Sequence, residues 1–119
     1  PDGVFHYMPS EHALRKVFSD DRRLALADAC LGQRSVRDAP CVVVLTAVPE
    51  RTAARYGERA TRYIAMEAGH IAQNILLQAT ALGLAGVPIG AFRDEDVARL
   101  MGIGPGEEPL YVVPVGHPR

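Results

Sequence analysis

Long hydrophobic runs are missing from this sequence. The longest uninterrupted apolar stretch lies at Cys41–Leu45, far short of the roughly 20 residues a membrane-spanning helix needs. No signal-peptide pattern stands at the N-terminus, so the expected compartment is the cytoplasm, with no membrane contact. An excess of one charge is also missing. Thirteen basic and fourteen acidic residues leave a net charge of −1, which argues against a nucleic-acid or anionic-membrane surface. Cysteine is scarce: Cys30 and Cys41 stand alone, without a C-x-x-C or a Cys/His cluster. That excludes a disulfide framework and predicts no zinc site. Lysine is scarcer still. Lys16 is the single one, and the other twelve basic residues are arginines. Arginine grips phosphates and carboxylates in fixed geometry, but a GC-rich genome produces the same bias. Repeats, low-complexity tracts and charge blocks are absent as well.

What is present is an ordinary globular composition, with 48% apolar and 23% charged residues in 119. This length allows one core, so a single domain over 1–119 is expected. The chain starts at Pro1 without a methionine, and a processed or partial chain is expected. Gly3–Met8 reads as a strand with Phe5 and Tyr7 on one face. Ser10 is placed to cap a short helix through Val17. Asp20 or Asp21 caps a second helix ending near Leu31–Gly32. Gln33–Pro40 reads as a polar loop. The β-branched run Cys41–Thr46 predicts a strand buried on both faces. Glu50–Gly57 reads as helical, and the longest element follows from about Glu58 to Leu82, roughly 35 Å of helix, with Gly83 as its terminator. Val87–Phe92 is a short strand or extended loop. Asp94 caps a helix carrying Val97, Leu100 and Met101, stopped by Gly102. Gly104–Gly106 is a turn, and Leu110–Val115 is the last strand. This order predicts an α+β fold.

The long helix is apolar nearly all round from Tyr63 to Leu82, as expected of a helix buried at the centre of something larger than its own hairpin. Yet Glu67, His70, Asn74 and Gln78 follow spacings of 3, 4 and 4, which places them on one stripe. The stripe is expected to be buried and hydrogen-bonded, either at a helix or subunit interface or beside a ligand. Glu67-Ala68-Gly69-His70 spells the E-x-x-H of di-metal bundles, but such a site needs a second copy and further carboxylates. No metal is therefore expected. Gly102-Ile103-Gly104-Pro105-Gly106 lacks the preceding strand of a dinucleotide fingerprint.

Several stretches taken together resemble the nitroreductase superfamily. They are Tyr56-Gly57-Glu58-Arg59, Arg62-Tyr63, Glu67-Ala68-Gly69-His70, Gln73-Asn74, Ala81-Leu82-Gly83-Leu84 and Pro88-Ile89-Gly90-Ala91-Phe92, with the strand Cys41–Ala47 and the closing Pro109–Gly116. The resemblance is nearest to the SagB-type dehydrogenases, the flavin oxidases of azoline-forming peptide modification, and it runs over almost the whole chain. It implies a nitroreductase-like mixed sheet flanked by helices around a long central helix, and an FMN-dependent oxidoreductase working by hydride transfer. It also implies a homodimer whose flavin sites draw on both subunits, with NADH, NADPH or the substrate itself as reductant and a small molecule or modified peptide as substrate. Carried over by position, it assigns Pro88, Ile89, Gly90 and Ala91 to the flavin ring, where Gly90 permits close approach, and it adds Asn74 and Arg119 as cofactor-binding residues. The Lys-Tyr pair of azoline oxidases falls on Arg55 and Tyr56, the candidate catalytic residues. Arginine stays protonated, so it does not serve as the base that a desolvated lysine becomes. The N-terminal Arg/Ser-rich phosphate-binding helix of the family has no counterpart in this sequence. Gln33–Arg37 is similar to it only in composition. A non-catalytic dimerisation or partner-binding module on the same fold is therefore the second expectation.

Overall fold

The computed structural model describes residues 2–118. Ten elements follow in order: strands β1 (Val4–Met8) and β2 (Ala13–Phe18), helices α1 (Arg23–Ala29) and α2 (Arg34–Asp38), strand β3 (Cys41–Ala47), helices α3 (Pro49–Tyr56) and α4 (Ala60–Ala81), strand β4 (Ala85–Gly86), helix α5 (Asp94–Met101) and strand β5 (Glu108–Gly116). A 3₁₀ turn over Gly57–Arg59 joins α3 to α4. The fold is α+β, as expected.

The expected helix from Ser10 is a strand. Pro9–His12 reverses the chain, closed by Glu11 N–H to the Met8 carbonyl at 3.3 Å, and His12 takes a positive φ of 47°. β2 then pairs antiparallel with β1, Met8 opposite Ala13. Leu14 and Val17 carry a helix-like spacing, but the partner strand satisfies the backbone instead. Gln33–Pro40 is not wholly loop either. It holds α2, whose Val36 is fully buried, and one apolar anchor among polar neighbours gives too little periodicity to read. At Asp21 the expectation holds in substance: its carboxylate accepts the Arg23 N–H at 3.0 Å at the head of α1. Asp94 is the first residue of α5 rather than its cap.

The second sheet has the order β3-β5-β4, antiparallel throughout. β5 lies in the middle, with Val112 and Val113 fully buried. β3 is an edge strand, and its Val42–Leu45 are only half-buried. The expectation of burial on both faces is corrected here: Val42 and Val44 turn one face to the core, yet none of Val42–Leu45 is fully buried. Leu26, Ala27, Ala29, Cys30, Val36, Ile89, Val97 and Val112 form the core, with Phe92, Leu100 and Met101 packed against it. α4 meets the sheet through small side chains, Ala60, Ala68, Ala72 and Ala79, all buried. These lie near one face at about 100° per residue. Glu67, His70 and Asn74 lie well round the helix from Ala68, Ala72 and Ala79, Gln78 shares the angle of Ala60, and all four are exposed. The buried polar stripe is thus corrected: alanines, which carry no polar signal, mark the inner face.

Candidate functional site

Three places gather the chemistry. The first is the loop after β4. Ile89 is buried, and it exchanges both backbone hydrogen bonds with Val112, at 2.8 and 3.0 Å. Four residues on, Arg93 N–H bonds the Ala29 carbonyl at 2.9 Å, and the Arg93 guanidinium bridges Asp28 and Asp96. The Gln33 amide reaches the Ala91 carbonyl at 3.4 Å. The loop is therefore pinned at Ile89, Ala91 and Arg93, with Gly90 exposed between the pins. Among the described residues, neither Gly90 nor Ala91 spends its backbone N–H on a protein acceptor. A Cβ built at Gly90 would meet only the Tyr111 ring edge at 3.8 Å, ordinary contact, and Gly90 has no positive φ. Glycine here is not demanded by the chain's own packing.

The second place is the groove between α3 and α4, about 600 Å³, lined by Arg51, Thr52, Arg55, Tyr56, Tyr63 and Glu67. Pro49 starts α3 at its first turn, where a missing N–H costs nothing. Arg51 and Arg55 then fall one turn apart on the same face. Tyr56 and Tyr63 meet edge to face, centroids 5.1 Å apart, and the Arg55 guanidinium carbon lies 5.4 Å from the Tyr56 ring. The third place is a cavity of about 490 Å³ beside Ala85–Val87 and Pro114–His117, with Arg34, Ser35 and Asp38 on its far wall.

The sequence-derived candidates do not converge in one chain. Arg55 and Tyr56 share the α3–α4 groove, Pro88–Ala91 lie on the pinned loop, and Asn74 is exposed halfway along α4. Ile89 points into the core and offers only its backbone surroundings. Arg119 lies outside the described residues. Sequence reasoning missed Arg51, Thr52 and Tyr63 as neighbours of Arg55. The i, i+4 spacing of Arg51 and Arg55 was the available signal. Cys30 is buried in the core, and burial raises its thiol pKa, so it is an inert packing residue rather than a nucleophile.

Residues 3–117 match the nitroreductase family. The chain belongs to that family. A nitroreductase-named protein of Methanocaldococcus jannaschii is 41% identical over 116 residues, 98% of this chain and 58% of the relative. The chain thus spans little more than half the length of that relative. Among solved structures, a nitroreductase-named protein from Anabaena variabilis superposes with a TM-score of 0.92 at 37% identity, covering 98% of this chain and 24% of the other. The NADPH:FMN oxidoreductase of Vibrio harveyi complexed with NAD+ gives 0.69 at 30%, covering 82% and 46%. The E. coli microcin synthetase McbBCD complex with truncated pro-MccB17 bound gives 0.80 at 25%, covering 97% and 44%. Among the described residues of this nitroreductase-family chain, no helix is long and apolar enough to cross a membrane.

Proposed function

We propose that this chain is the flavin-contacting part of an FMN-dependent oxidoreductase of the nitroreductase family, of SagB type. The observation that carries the reading is the Pro88–Ala91 loop. It is held at both ends, exposes two unspent backbone N–H groups, and bears a glycine whose missing side chain leaves room for a flat ring. These features fit the edge of an isoalloxazine, which presents hydrogen-bond acceptors. FMN, when bound, supplies hydride acceptance and donation. The chain's own contribution is positional. Ile89 fixes the loop against β5, Gly90 lets the backbone approach the ring, and the free N–H groups orient it without rearrangement at the moment of transfer. Asn74 and Arg119 are assigned to the rest of the cofactor. A reduced nicotinamide is the proposed reductant, in keeping with the Vibrio harveyi oxidoreductase. The microcin synthetase likeness supports the SagB-type assignment, and by the family resemblance Arg55 and Tyr56 stand where azoline oxidases carry a Lys-Tyr pair.

The exposed face of α4 supports a homodimer. Met66, Ile71 and Leu77 stand open to solvent there, with Leu82 just past its end, more apolar side chain than a monomer's helix normally leaves uncovered. His70, Asn74 and Gln78 lie on that same side, so a partner chain would bury that part of the stripe, while Tyr63 and Glu67 stay on the α3–α4 groove.

The test is the Gly90→Val variant. A Cβ at this position meets only the Tyr111 ring at 3.8 Å and the residue is exposed, so the fold should persist, with an unchanged thermal midpoint. Flavin absorbance in the purified protein should fall by at least about tenfold, since the lost contacts include charge-polarised hydrogen bonds. A Gly90→Val protein as yellow as its parent overturns the loop assignment. A colourless parent that takes up no added FMN overturns the flavin reading and leaves the non-catalytic module.

A further inference from the structure

Among the described residues some arginines are paired and some are not; Arg15 on β2 is a lone unpaired one, and the other unpaired ones gather in one corner. Arg22, Arg23, Arg34, Arg37, Arg93 and Arg99 each sit within 4 Å of an aspartate. In the α3–α4 corner, Arg51, Arg55, Arg59 and Arg62 have no carboxylate partner among the described residues, although Glu50, Glu58 and Glu67 are close in sequence. Two like charges at i, i+4 on one helix repel one another and weaken it. Arg51 and Arg55 are in that position and both line the groove. Opposite them stand two half-open tyrosine rings set at 86° to each other. Both rings line the groove, and an aromatic ring offers a planar group either offset-stacked or edge-to-face contact.

We propose that the α3–α4 groove binds a planar, conjugated carboxylate. The carboxylate lies across Arg51 and Arg55 and the ring system lies against Tyr56 and Tyr63. The paired guanidiniums supply the fork geometry that a carboxylate accepts in bidentate fashion, and the bound anion removes their mutual repulsion. Glu67 forms the acidic wall at the α4 side, so an anion seats toward α3. Thr52, half-buried between the arginines, offers a hydroxyl at the same end. As a statement about the substrate class of the proposed oxidoreductase, this rests on the flavin reading. As a statement about binding, it does not. Arginine in place of the lysine of the azoline oxidases then has a physical purpose: it exchanges a titratable base for a permanent anion anchor.

The experiment uses the purified protein and two probes of the same shape, 2-naphthoate and its neutral amide, followed by equilibrium titration of tyrosine fluorescence or NMR shifts. The carboxylate should bind at least about tenfold more tightly than the amide, the value of a charge-assisted pair over a neutral one. The preference should vanish in an Arg51→Gln/Arg55→Gln double variant, with the thermal midpoint retained. Glu67→Gln should tighten the carboxylate and leave the amide unmoved. Equal affinity of the two probes, or a preference that survives the double variant, overturns the proposal. So does inorganic phosphate displacing naphthoate at equal concentration, because the rings then contribute nothing. A colourless protein that shows the arginine-dependent preference sinks only the flavin reading. A yellow protein without the preference sinks only the carboxylate site.

Discussion

Cys30 and Cys41 show how one residue type takes two characters from its surroundings. Cys41 is exposed at the start of the edge strand, whereas Cys30 is fully buried between α1 and the core, where loss of water raises its thiol pKa. A raised acid pKa means that the folded state holds the proton more tightly than the unfolded one. Stability from Cys30 is therefore complete below the ordinary thiol value of 9.0 and declines as pH rises past it. Two outcomes are expected. At pH 8 a thiol reagent labels one equivalent quickly, and the second only at the rate of unfolding. The thermal midpoint falls between pH 8 and pH 10 in the parent but less so in Cys30→Ala, measured from each protein's own value at pH 8. Asp21 runs the other way. Its bonds to Arg23 lower its pKa to about 2, so its contribution holds above the ordinary carboxylate range and fades as pH falls toward 2. Because the pair is solvent-exposed, that contribution is small.

Among elements, the β1–β2 hairpin meets the rest of the chain at Gly102. Gly102 ends α5 with φ 69° and ψ 28°, and its missing Cβ leaves room for the Phe18 ring, which would otherwise lie at 2.8 Å. Arg22 covers the other side of that ring at 3.4 Å and donates to the Leu100 carbonyl at 3.0 Å. Gly102→Ala combines a left-handed backbone with a steric clash, and a loss of ~2 kcal/mol is expected, read by chemical denaturation. The hairpin should become cleavable by protease before the core unfolds. The same substitution at Gly104, which has open space and no positive φ, should leave both readouts unchanged.

For the whole molecule, the decisive question is what covers α4. Its inner side buries Ala60, Ala68, Ala72 and Ala79 and half-buries Ile64, Ile75 and Leu76; its outer side leaves Met66, Ile71 and Leu77 exposed. Analytical ultracentrifugation at micromolar concentration should return a dimer. Leu77→Arg, at a position 59% exposed on that face, should return a monomer with an unchanged far-UV spectrum, because most of its side chain is already in water. If Leu77→Arg stays dimeric, this face is not the interface. If Leu77→Arg is monomeric, a flavin shared between subunits is lost with the dimer, so absorbance and sedimentation should fall together in this variant.

The sequence by itself determined the parts whose signals are local. The β-branched run of β3, the long α4, the Gly102 stop and the closing strand are each written in consecutive residues, and the ordered motifs around Tyr56, Glu67 and Pro88 carried the family. Tertiary structure decided what depends on partners distant in the chain. Leu14 and Val17 became strand because β1 was there to pair with them. Val36 became core because α2 docks on β5. The polar stripe of α4 turned outward because alanines fit closer to the sheet than glutamate or glutamine. The Arg51–Arg55 groove needed α3 folded back beside Tyr63 before two exposed arginines and two tyrosines became one surface. Periodicity reports which residues share a face; only packing decides which way that face looks.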